Sequence, residues 1–289
     1  MKTNEVSFSG AKTRKASFSG AKTRKASFSG AKSKLLKSLM LAALALPGAA
    51  MAADAPASPH MFSANVGFTT DYIFRGISQT SGNPAVQGGI DYSHSSGLYA
   101  GVWGSNVSWI ADSGAVATGS VTMELDTYFG FRNSFAEDFT YDVGFIRYNY
   151  LGNYTAAAGF AKADTDELYG AIGYKWIAAK YSYGLGQFLT VPGAAGTNYL
   201  EINASVPVAD TGITFGAHVG KQTYKGAAAA AFANTPTYTD YKLSVSKDFS
   251  GYVVGLAYTD TNASPFYTYP AFGGDWGKGT AVLSVTHAF

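Results

Sequence analysis

The sequence predicts an all-β protein: a transmembrane antiparallel up-and-down β-barrel of about 12 strands, with short periplasmic turns and longer extracellular loops. Three observations lead to this fold class. Aromatic residues make up 15% of the 289 residues and charged residues only 14%, against roughly 25% charged residues in soluble domains. Apolar and polar residues alternate over strand-length segments instead of forming long apolar runs. The connections between these segments alternate between short and long.

Residues 1–52 read as a targeting region and are left out of the predicted barrel. The apolar run at 39–46 follows several lysines and is too short to span a bilayer. Ala50 and Ala52 supply the small-x-small pattern of a signal-peptide cleavage site, so we expect cleavage after Ala52. A retained N-terminal helix is the alternative interpretation.

The remainder of this N-terminal region is a basic repeat. The decapeptide SFSGAKTRKA occurs at 7–16 and again at 17–26, and it is too polar to build a core. Residues 1–52 hold ten of the 21 Lys and Arg residues and one of the 19 acids, so residues 53–289 carry a net charge of −7. An acidic mature chain gives no basis for nucleic-acid binding. The absence of cysteine excludes disulfides and thiolate metal sites.

The first predicted strand shows the alternation most clearly. One face is mainly apolar and suits lipid: Phe62, Ala64, Val66, Phe68, Thr70, Tyr72 and Phe74. The other face is mainly polar and suits a lumen: Ser63, Asn65, Gly67, Thr69, Asp71, Ile73 and Arg75. The segment exceeds the roughly 9–11 residues that a tilted membrane strand needs.

The final segment, from Thr280 to Phe289, alternates in the same way. Leu283, Val285, His287 and Phe289 share one face. An alternating strand that ends in an aromatic residue suits the closing strand of an outer-membrane barrel, although a soluble β-sandwich can end on Phe as well. We expect this strand to be the signal that the barrel-assembly machinery recognises.

The domain organisation follows from these segments. Residues 53–61 form a short periplasmic lead, and residues 62–289 form the barrel. The twelve predicted strands are 62–74, 84–93, 98–107, 121–132, 139–150, 166–176, 179–188, 197–206, 212–221, 238–247, 251–260 and 279–289. An even strand number places both termini in the periplasm, and ten or fourteen strands are the alternatives.

Two segments carry a family resemblance. TTDYIFRGISQT at 69–80, followed by PAVQGGIDYSHSSGLYAGVWGSNVSW at 84–109, resembles the TorF family of proteobacterial porin-like proteins, whose function is poorly defined. The resemblance is strong over 62–132 and extends more weakly to Phe289. It implies an outer-membrane barrel that acts as a channel, with no catalytic residues.

Charged residues on the predicted lumen face are the candidates for lining a pore or its constriction. They are Asp71, Arg75, Asp91, Glu124, Asp126, Arg132, Asp142, Glu201, Asp240 and Lys242. Asp71 and Arg75 lie four apart on one predicted strand, which points both side chains into the lumen. Acids outnumber bases, which predicts a weak cation preference. Alternatively, opposite charges pair across the lumen and only satisfy a polar interior. Arg75 is the candidate for a constriction or for anchoring the first loop.

These features predict an outer-membrane channel for passive diffusion of ions or small hydrophilic solutes, with membrane lipid as its other partner and the oligomeric state left open. The alternative is a closed or plugged barrel that acts as a surface-binding or structural protein, with contacts in the loops at 227–231 and 264–274. A remote alternative is an outer-membrane hydrolase built on His218. No histidine pair has metal-ligand spacing, and we expect no cofactor, metal or catalysis.

Overall fold

The computed structural model describes residues 58–135, 137–226, 237–263, 267–269 and 274–289. The predicted cleavage residues Ala50 and Ala52 lie outside these ranges. So do the basic repeat, the loop at 227–231 and most of the loop at 264–274.

The regular secondary structure of the described chain is almost entirely β-strand. In chain order the elements are β1 (His60–Thr69), β2 (Ile73–Phe74), β3 (Ile77–Ser78), β4 (Ala85–His94), β5 (Leu98–Asn106), α1 (Trp109–Asp112), β6 (Val116–Gly119), β7 (Met123–Ser134), β8 (Phe139–Leu151), β9 (Tyr154–Ala156), β10 (Thr165–Tyr174), β11 (Ile177–Gly184), β12 (Asn198–Val208), β13 (Ile213–Thr223), β14 (Tyr238–Phe249), β15 (Tyr252–Thr261), β16 (Thr268–Tyr269), β17 (Gly274–Asp275) and β18 (Thr280–Ala288). Among the described residues, no helix is both long and apolar enough to cross a membrane.

Twelve of these strands close into one antiparallel barrel. Its order is β1, β4, β5, β7, β8, β10, β11, β12, β13, β14, β15 and β18, which pairs back onto β1. The closing register joins Asn65 to Ala288 and Thr69 to Ser284. The predicted fold class and strand number are therefore confirmed. Closure leaves the barrel without the unpaired sheet edge that would otherwise be exposed.

The outer face of the barrel is apolar. On β13 the side chains of Phe215 and Val219 are exposed, whereas His218 lies inside. Exposed aromatic residues gather toward both ends of the wall: Phe62, Phe135, Tyr174, Trp176, Phe249 and Phe289 at one end, and Tyr181, Tyr183, Tyr241 and Tyr258 nearer the other. An apolar band between two aromatic belts matches the cross-section of a bilayer, so the strands span a membrane.

The two ends of the barrel differ in their connections. One end carries the short turns at 95–97, 135–138, 175–176, 209–212 and 250–251. The other end carries the long connections at 70–84, 107–122, 152–164, 185–197, 224–237 and 262–279. The first and last barrel strands start and finish at the short-turn end, so both described termini lie there.

The first barrel strand is shorter than the sequence predicts. β1 ends at Thr69, and the chain then leaves the wall. The Thr70 N–H still donates to the backbone carbonyl of Leu283 at 2.9 Å, and the hydroxyl of Thr69 donates to the backbone carbonyl of Asp71 at 2.9 Å, a local bond at the point where ladder pairing stops. The prediction that Asp71 and Arg75 share a barrel strand is therefore wrong. Tyr72 and Phe74, predicted to face lipid, instead contact Trp103 and Tyr148, respectively, inside the barrel.

The hydrophobic core lies at the long-loop end rather than between layers of sheet. There α1 packs beside β6 and β9, which pair with each other across two successive loops. The fully or nearly fully buried apolar residues of this cluster include Ile77, Val107, Trp109, Ile110, Val121, Tyr150 and Tyr154. The described parts of the long loops therefore form a packed cap over that end of the lumen.

The outer face gives a direct test of membrane immersion. Leu256 lies midway along β15 with 53% of its surface exposed, and its neighbour Ala257 lines the lumen. Leu256→Arg should lower the free energy of unfolding by about 2–4 kcal/mol, because it places a charge in hydrocarbon. Urea titration of the protein refolded in lipid vesicles measures the loss. Ala257→Arg is the matched control, and equal losses for both variants would contradict the assigned faces.

Candidate functional site

The barrel encloses a polar cavity of about 460 Å³. Its charged lining residues are Asp71, Arg75, Asp126, Lys180, Glu201, Asp240 and Lys242. Six of these are among the ten residues that the sequence predicts for a pore. The wall on the β18 side is lined by Val282, Ser284 and Thr286, so the cavity reaches toward the short-turn end.

A hairpin from the first long connection enters the lumen. β2 and β3 pair through Ile73 with Ser78 and Phe74 with Ile77, and only Arg75 and Gly76 lie between them. Both turn residues have positive φ, 47° for Arg75 and 77° for Gly76. Two positive φ values are the signature of a type I′ turn, which matches the twist of the flanking strands. The tip of this hairpin is therefore sharply defined.

Asp71 fixes the base of the hairpin. Its Oδ1 accepts hydrogen bonds from the hydroxyls of Ser78 at 2.6 Å and Thr80 at 3.0 Å. Thr80 Oγ1 in turn accepts the backbone N–H of Tyr72 at 3.1 Å. Burial raises the pKa of Asp71, and the bonds from Ser78, Thr80 and the backbone of Gly82 offset part of that rise. Asp71 thus holds together the two arms of the hairpin.

Arg75 bonds the tip of the hairpin to the opposite wall of the barrel. Its Nη2 donates to both carboxylate oxygens of Glu167 at 2.8 and 3.0 Å, and its Nη1 donates to Gln222 Oε1 at 3.0 Å. The Tyr238 hydroxyl donates to the backbone carbonyl of Arg75 at 2.9 Å. Burial lowers the pKa of the Arg75 guanidinium, but the charge and hydrogen bond of Glu167, together with the nearby Tyr148 and Tyr199, outweigh burial and raise the pKa above its usual value. A buried ion pair and its neighbouring hydrogen bonds therefore hold the tip in place.

Gly76 is required at the tip by space as well as by φ. A Cβ built on Gly76 would collide with the Thr261 side chain and lie 2.5 Å from Cβ of Asp240. Thr261 and Asp240 face each other on neighbouring strands. The hairpin backbone consequently lies directly against the lumen wall.

The hairpin tip divides the interior into two cavities. On the long-loop side lies a second cavity of about 60 Å³, lined mainly by aromatic rings that include Trp109, Phe160, Phe188 and Tyr238. Phe74 and Arg75 line both this aromatic cavity and the polar cavity. These two side chains therefore form the partition between the aromatic cap and the polar lumen.

Two predicted acids lie buried beside the hairpin. Glu124 is 1% exposed, and its Oε1 accepts a hydrogen bond from the Tyr72 hydroxyl at 3.3 Å. Asp126 lies two residues further along the same face of β7. Glu124 Oε2 and Asp126 Oδ1 are both buried and make no hydrogen bond to the described chain. Two acids therefore lie side by side on the lumen face of β7, next to the hairpin.

A histidine-centred network lies on the opposite wall. His218 Nε2 lies 2.8 Å from Asp240 Oδ1 and 3.0 Å from the Tyr199 hydroxyl, and Nδ1 lies 2.7 Å from Asn203 Oδ1. Asn203 Nδ2 also donates to Glu201 Oε2 at 2.7 Å. Within this network no serine contacts the imidazole, so a Ser-His-Asp arrangement is not assembled there.

The remaining predicted residues lie nearer the short-turn end. Asp91 accepts from the Tyr128 hydroxyl, and Asp142 accepts from the Tyr99 hydroxyl, each at 2.6 Å. Arg132 lies 4.8 Å above the ring of Tyr99. Lys242 pairs in register with His218 and lines the polar cavity. In the ranges that the structure describes, no three His, Asp or Glu side chains are placed to hold a metal ion.

The partners of Arg75 are missing from the sequence-based candidates. Glu167 is an interior acid on β10, where the exposed Leu168 and Ile172 alternate with it. That alternation was available in the sequence and points Glu167 inward. Gln222 and Tyr199 carried no comparable signal, because uncharged polar and aromatic residues are common throughout this chain.

The family follows from the sequence of the barrel itself. A family model described as a bacterial protein of unknown function (Gcw_chp) matches residues 53–289. The chain belongs to the Gcw_chp family. This match begins directly after the predicted signal peptide and includes every barrel strand of the structure. The TorF name stays a prediction.

Solved structures of low identity resemble this Gcw_chp chain. The NanC porin is 8% identical, with a TM-score of 0.46 over 79% of this chain and 99% of that chain. OprD from Pseudomonas aeruginosa is 13% identical, with a TM-score of 0.37 over 72% of this chain and 59% of that chain. OccAB3 from Acinetobacter baumannii is 10% identical, with a TM-score of 0.40 over 77% of this chain and 59% of that chain. This chain thus spans about three fifths of the length of OprD and OccAB3. No curated protein matches the sequence.

Two glycines of the same loop test the packing of the hairpin tip. Gly76 and Gly82 have nearly equal φ values, 77° and 76°, but a Cβ on Gly82 would meet nothing within 4 Å. Gly82→Ala should cost about 1–2 kcal/mol from the backbone alone. Gly76→Ala should cost about 1–3 kcal/mol more, because its methyl group overpacks the lumen wall. Denaturant titration in vesicles measures both, and equal losses would show that the tip is not held against Thr261 and Asp240.

Proposed function

We propose that this Gcw_chp protein is an outer-membrane channel for passive diffusion of ions or small hydrophilic solutes, with both termini in the periplasm. The supporting observation is a closed, outwardly apolar barrel around a polar cavity of about 460 Å³. One water needs roughly 10–15 Å³ by this measure, so the cavity has room for many. The predicted signal peptide directs the chain out of the cytoplasm, where such a barrel can insert in the outer membrane.

Lumen charge supports a weak cation preference. The acids Asp71, Asp126, Glu201 and Asp240 line the polar cavity, against the bases Arg75, Lys180 and Lys242. Since Arg75 is already neutralised by Glu167, its charge does little to attract anions. Because the excess of acid is small, we expect the cation preference to be weak rather than strict.

The inserted hairpin favours a second candidate, a plugged barrel that acts as a surface-binding or structural protein. The hairpin crosses the lumen, and the described parts of the long loops pack into an aromatic cap above it. In that case the cap would be the functional surface. Conductance separates the two proposals, because a permanently plugged barrel passes no current.

Catalysis has little support. His218 has carboxylate, amide and tyrosine partners, but a hydrolase also needs a nucleophile beside the imidazole. We therefore propose a non-enzymatic role. The outward residues Leu283, Val285 and Phe289, together with His287 stacked on Tyr252, remain our proposed contact for the barrel-assembly machinery.

Conductance in a salt gradient tests the channel and its charge preference. Ala53–Phe289, refolded and inserted in a planar bilayer, should give discrete steps and a reversal potential of the cation-preferring sign. Glu201→Gln combined with Asp126→Asn should move that potential toward zero, because it removes two lumen charges. Asp164→Asn is the control, since Asp164 pairs with Arg147 away from the polar cavity. An unchanged potential would contradict the charge assignment, and a folded barrel without any current would favour the plugged alternative.

The partition gives a separate prediction for the size of the current. Arg75→Ala should raise single-channel conductance several-fold, because it removes the side chain that separates the two cavities. Arg147→Ala is the matched control: Arg147 also binds a carboxylate in bidentate fashion, Asp166 at 2.9 and 3.0 Å, but the Arg147 side chain is 41% exposed. Equal conductance in wild type and Arg75→Ala would show that the current does not pass the hairpin tip.

A further inference from the structure

The surroundings of the Arg75 guanidinium have the composition of a recognition site for that group. One buried carboxylate, Glu167, accepts two hydrogen bonds, and one buried amide oxygen, of Gln222, accepts a third. The rings of Tyr199 and Phe188 lie 4.4 and 5.6 Å from the guanidinium carbon. Glu167 is 0% exposed and Gln222 is 1% exposed. A planar cation with several N–H donors satisfies all of these groups together.

The walls of this site are held by contacts that do not involve Arg75. Gln222 Nε2 donates to the backbone carbonyl of Asn198 at 3.2 Å, which leaves Gln222 Oε1 pointing at the guanidinium. The Tyr148 hydroxyl donates to Glu167 Oε2 at 3.3 Å. The rings of Phe188 and Tyr224 pack edge-on, with their centroids 5.5 Å apart. Because these supports come from the barrel and its loops, the site keeps its shape when the guanidinium is absent.

The site also lies between the two cavities of the interior. Arg75 lines both the aromatic cavity and the polar cavity, so removal of its side chain opens the site to both. The aromatic cavity offers ring faces, and the polar cavity offers the carboxylates of Asp126, Glu201 and Asp240. Both linings attract organic cations.

We propose that Glu167, Gln222, Tyr199 and Phe188 form a binding site for the guanidinium group of small organic cations, and that Arg75 is its tethered occupant in the closed channel. A guanidinium solute that takes the place of Arg75 frees the hairpin tip and then passes into the acid-rich lumen. The permeation step rests on the proposed channel function, whereas the binding step does not. Because a short tether gives Arg75 an effective concentration in the millimolar range, free solute should compete only at millimolar concentration or above.

The shape of the site selects guanidinium over other cations. A planar fork places separate N–H groups on Glu167 and Gln222 while its faces lie against the rings. An ammonium group is a point charge and cannot span the two acceptors with flat stacking. Urea has the same planar shape but no charge, so it leaves Glu167 buried and uncompensated.

Chemical rescue tests the binding step without any current. In the full chain carrying Arg75→Ala, refolded in detergent, low-millimolar guanidinium chloride should raise the midpoint of thermal unfolding by about 2–4 °C. Ethylammonium should give a smaller rise and urea none. Arg147→Ala should show no rise, because its carboxylate partners are solvated. No rise with Arg75→Ala, or an equal rise with Arg147→Ala, would overturn the site.

Wild-type permeation supplies the second measurement and covers the case in which Arg75→Ala does not fold. In bi-ionic bilayer recordings, methylguanidinium should be several-fold more permeant than tetramethylammonium, and Glu167→Gln should abolish the difference. Equal permeability of the two cations would overturn the proposed gating by guanidinium. If no cation carries current, the channel proposal fails, and rescue of Arg75→Ala by guanidinium would still establish the binding site.

Discussion

The buried ion pair between Arg75 and Glu167 is the interaction on which the interior of this protein depends. Side-chain exposure is 7% for Arg75 and 1% for Glu167, so both charges are almost wholly removed from water. A buried charge left without its partner typically costs about 3–5 kcal/mol. Here the pair is completed by the Gln222 amide and by aromatic rings on several sides. The position of the hairpin, and with it the division of the lumen, follows from this one contact.

In this lumen, tyrosine hydroxyls rather than basic side chains supply many of the hydrogen bonds to the buried acids. Five interior acids accept a hydrogen bond from a tyrosine: Asp91 from Tyr128, Asp142 from Tyr99, Glu124 from Tyr72, Glu167 from Tyr148 and Asp240 from Tyr199. A phenol donates a hydrogen bond without adding charge. An acid that has no basic partner can therefore still be hydrogen-bonded, and acids can outnumber bases in the lumen. The expected alternative, pairing of opposite charges across the lumen, therefore accounts for only part of the interior. A net acidic lining can survive in the folded barrel.

The barrel inverts the usual placement of apolar residues. Its most exposed apolar side chains, such as Phe62 and Leu243, face outward into lipid. The hydrophobic cluster instead lies at the long-loop end. A second cluster, which shares the neighbouring Leu189 with the first, holds Phe188 and Tyr224 beside the Arg75 site. Packing in the cap and charge pairing in the lumen are thus parts of one assembly. From the long-loop side inward, the interior therefore presents aromatic rings first and carboxylates afterwards.

The sequence by itself determined the barrel. Alternation on strands such as β13 and β15, together with the short and long connections, was enough to give twelve strands within a few residues of their observed bounds, because side-chain direction in a strand has a strict period of two. The same rule failed from Asp71 onward, where the chain leaves the wall and local hydrogen bonds to Asp71 and Thr80 take the place of ladder pairing. Alternation placed Arg75 in the lumen but identified no partner for its side chain. Only the closed barrel brings Glu167 and Gln222 to Arg75 from positions 92 and 147 residues away. Contacts across a lumen depend on the curvature and register of all twelve strands, and no local pattern encodes them.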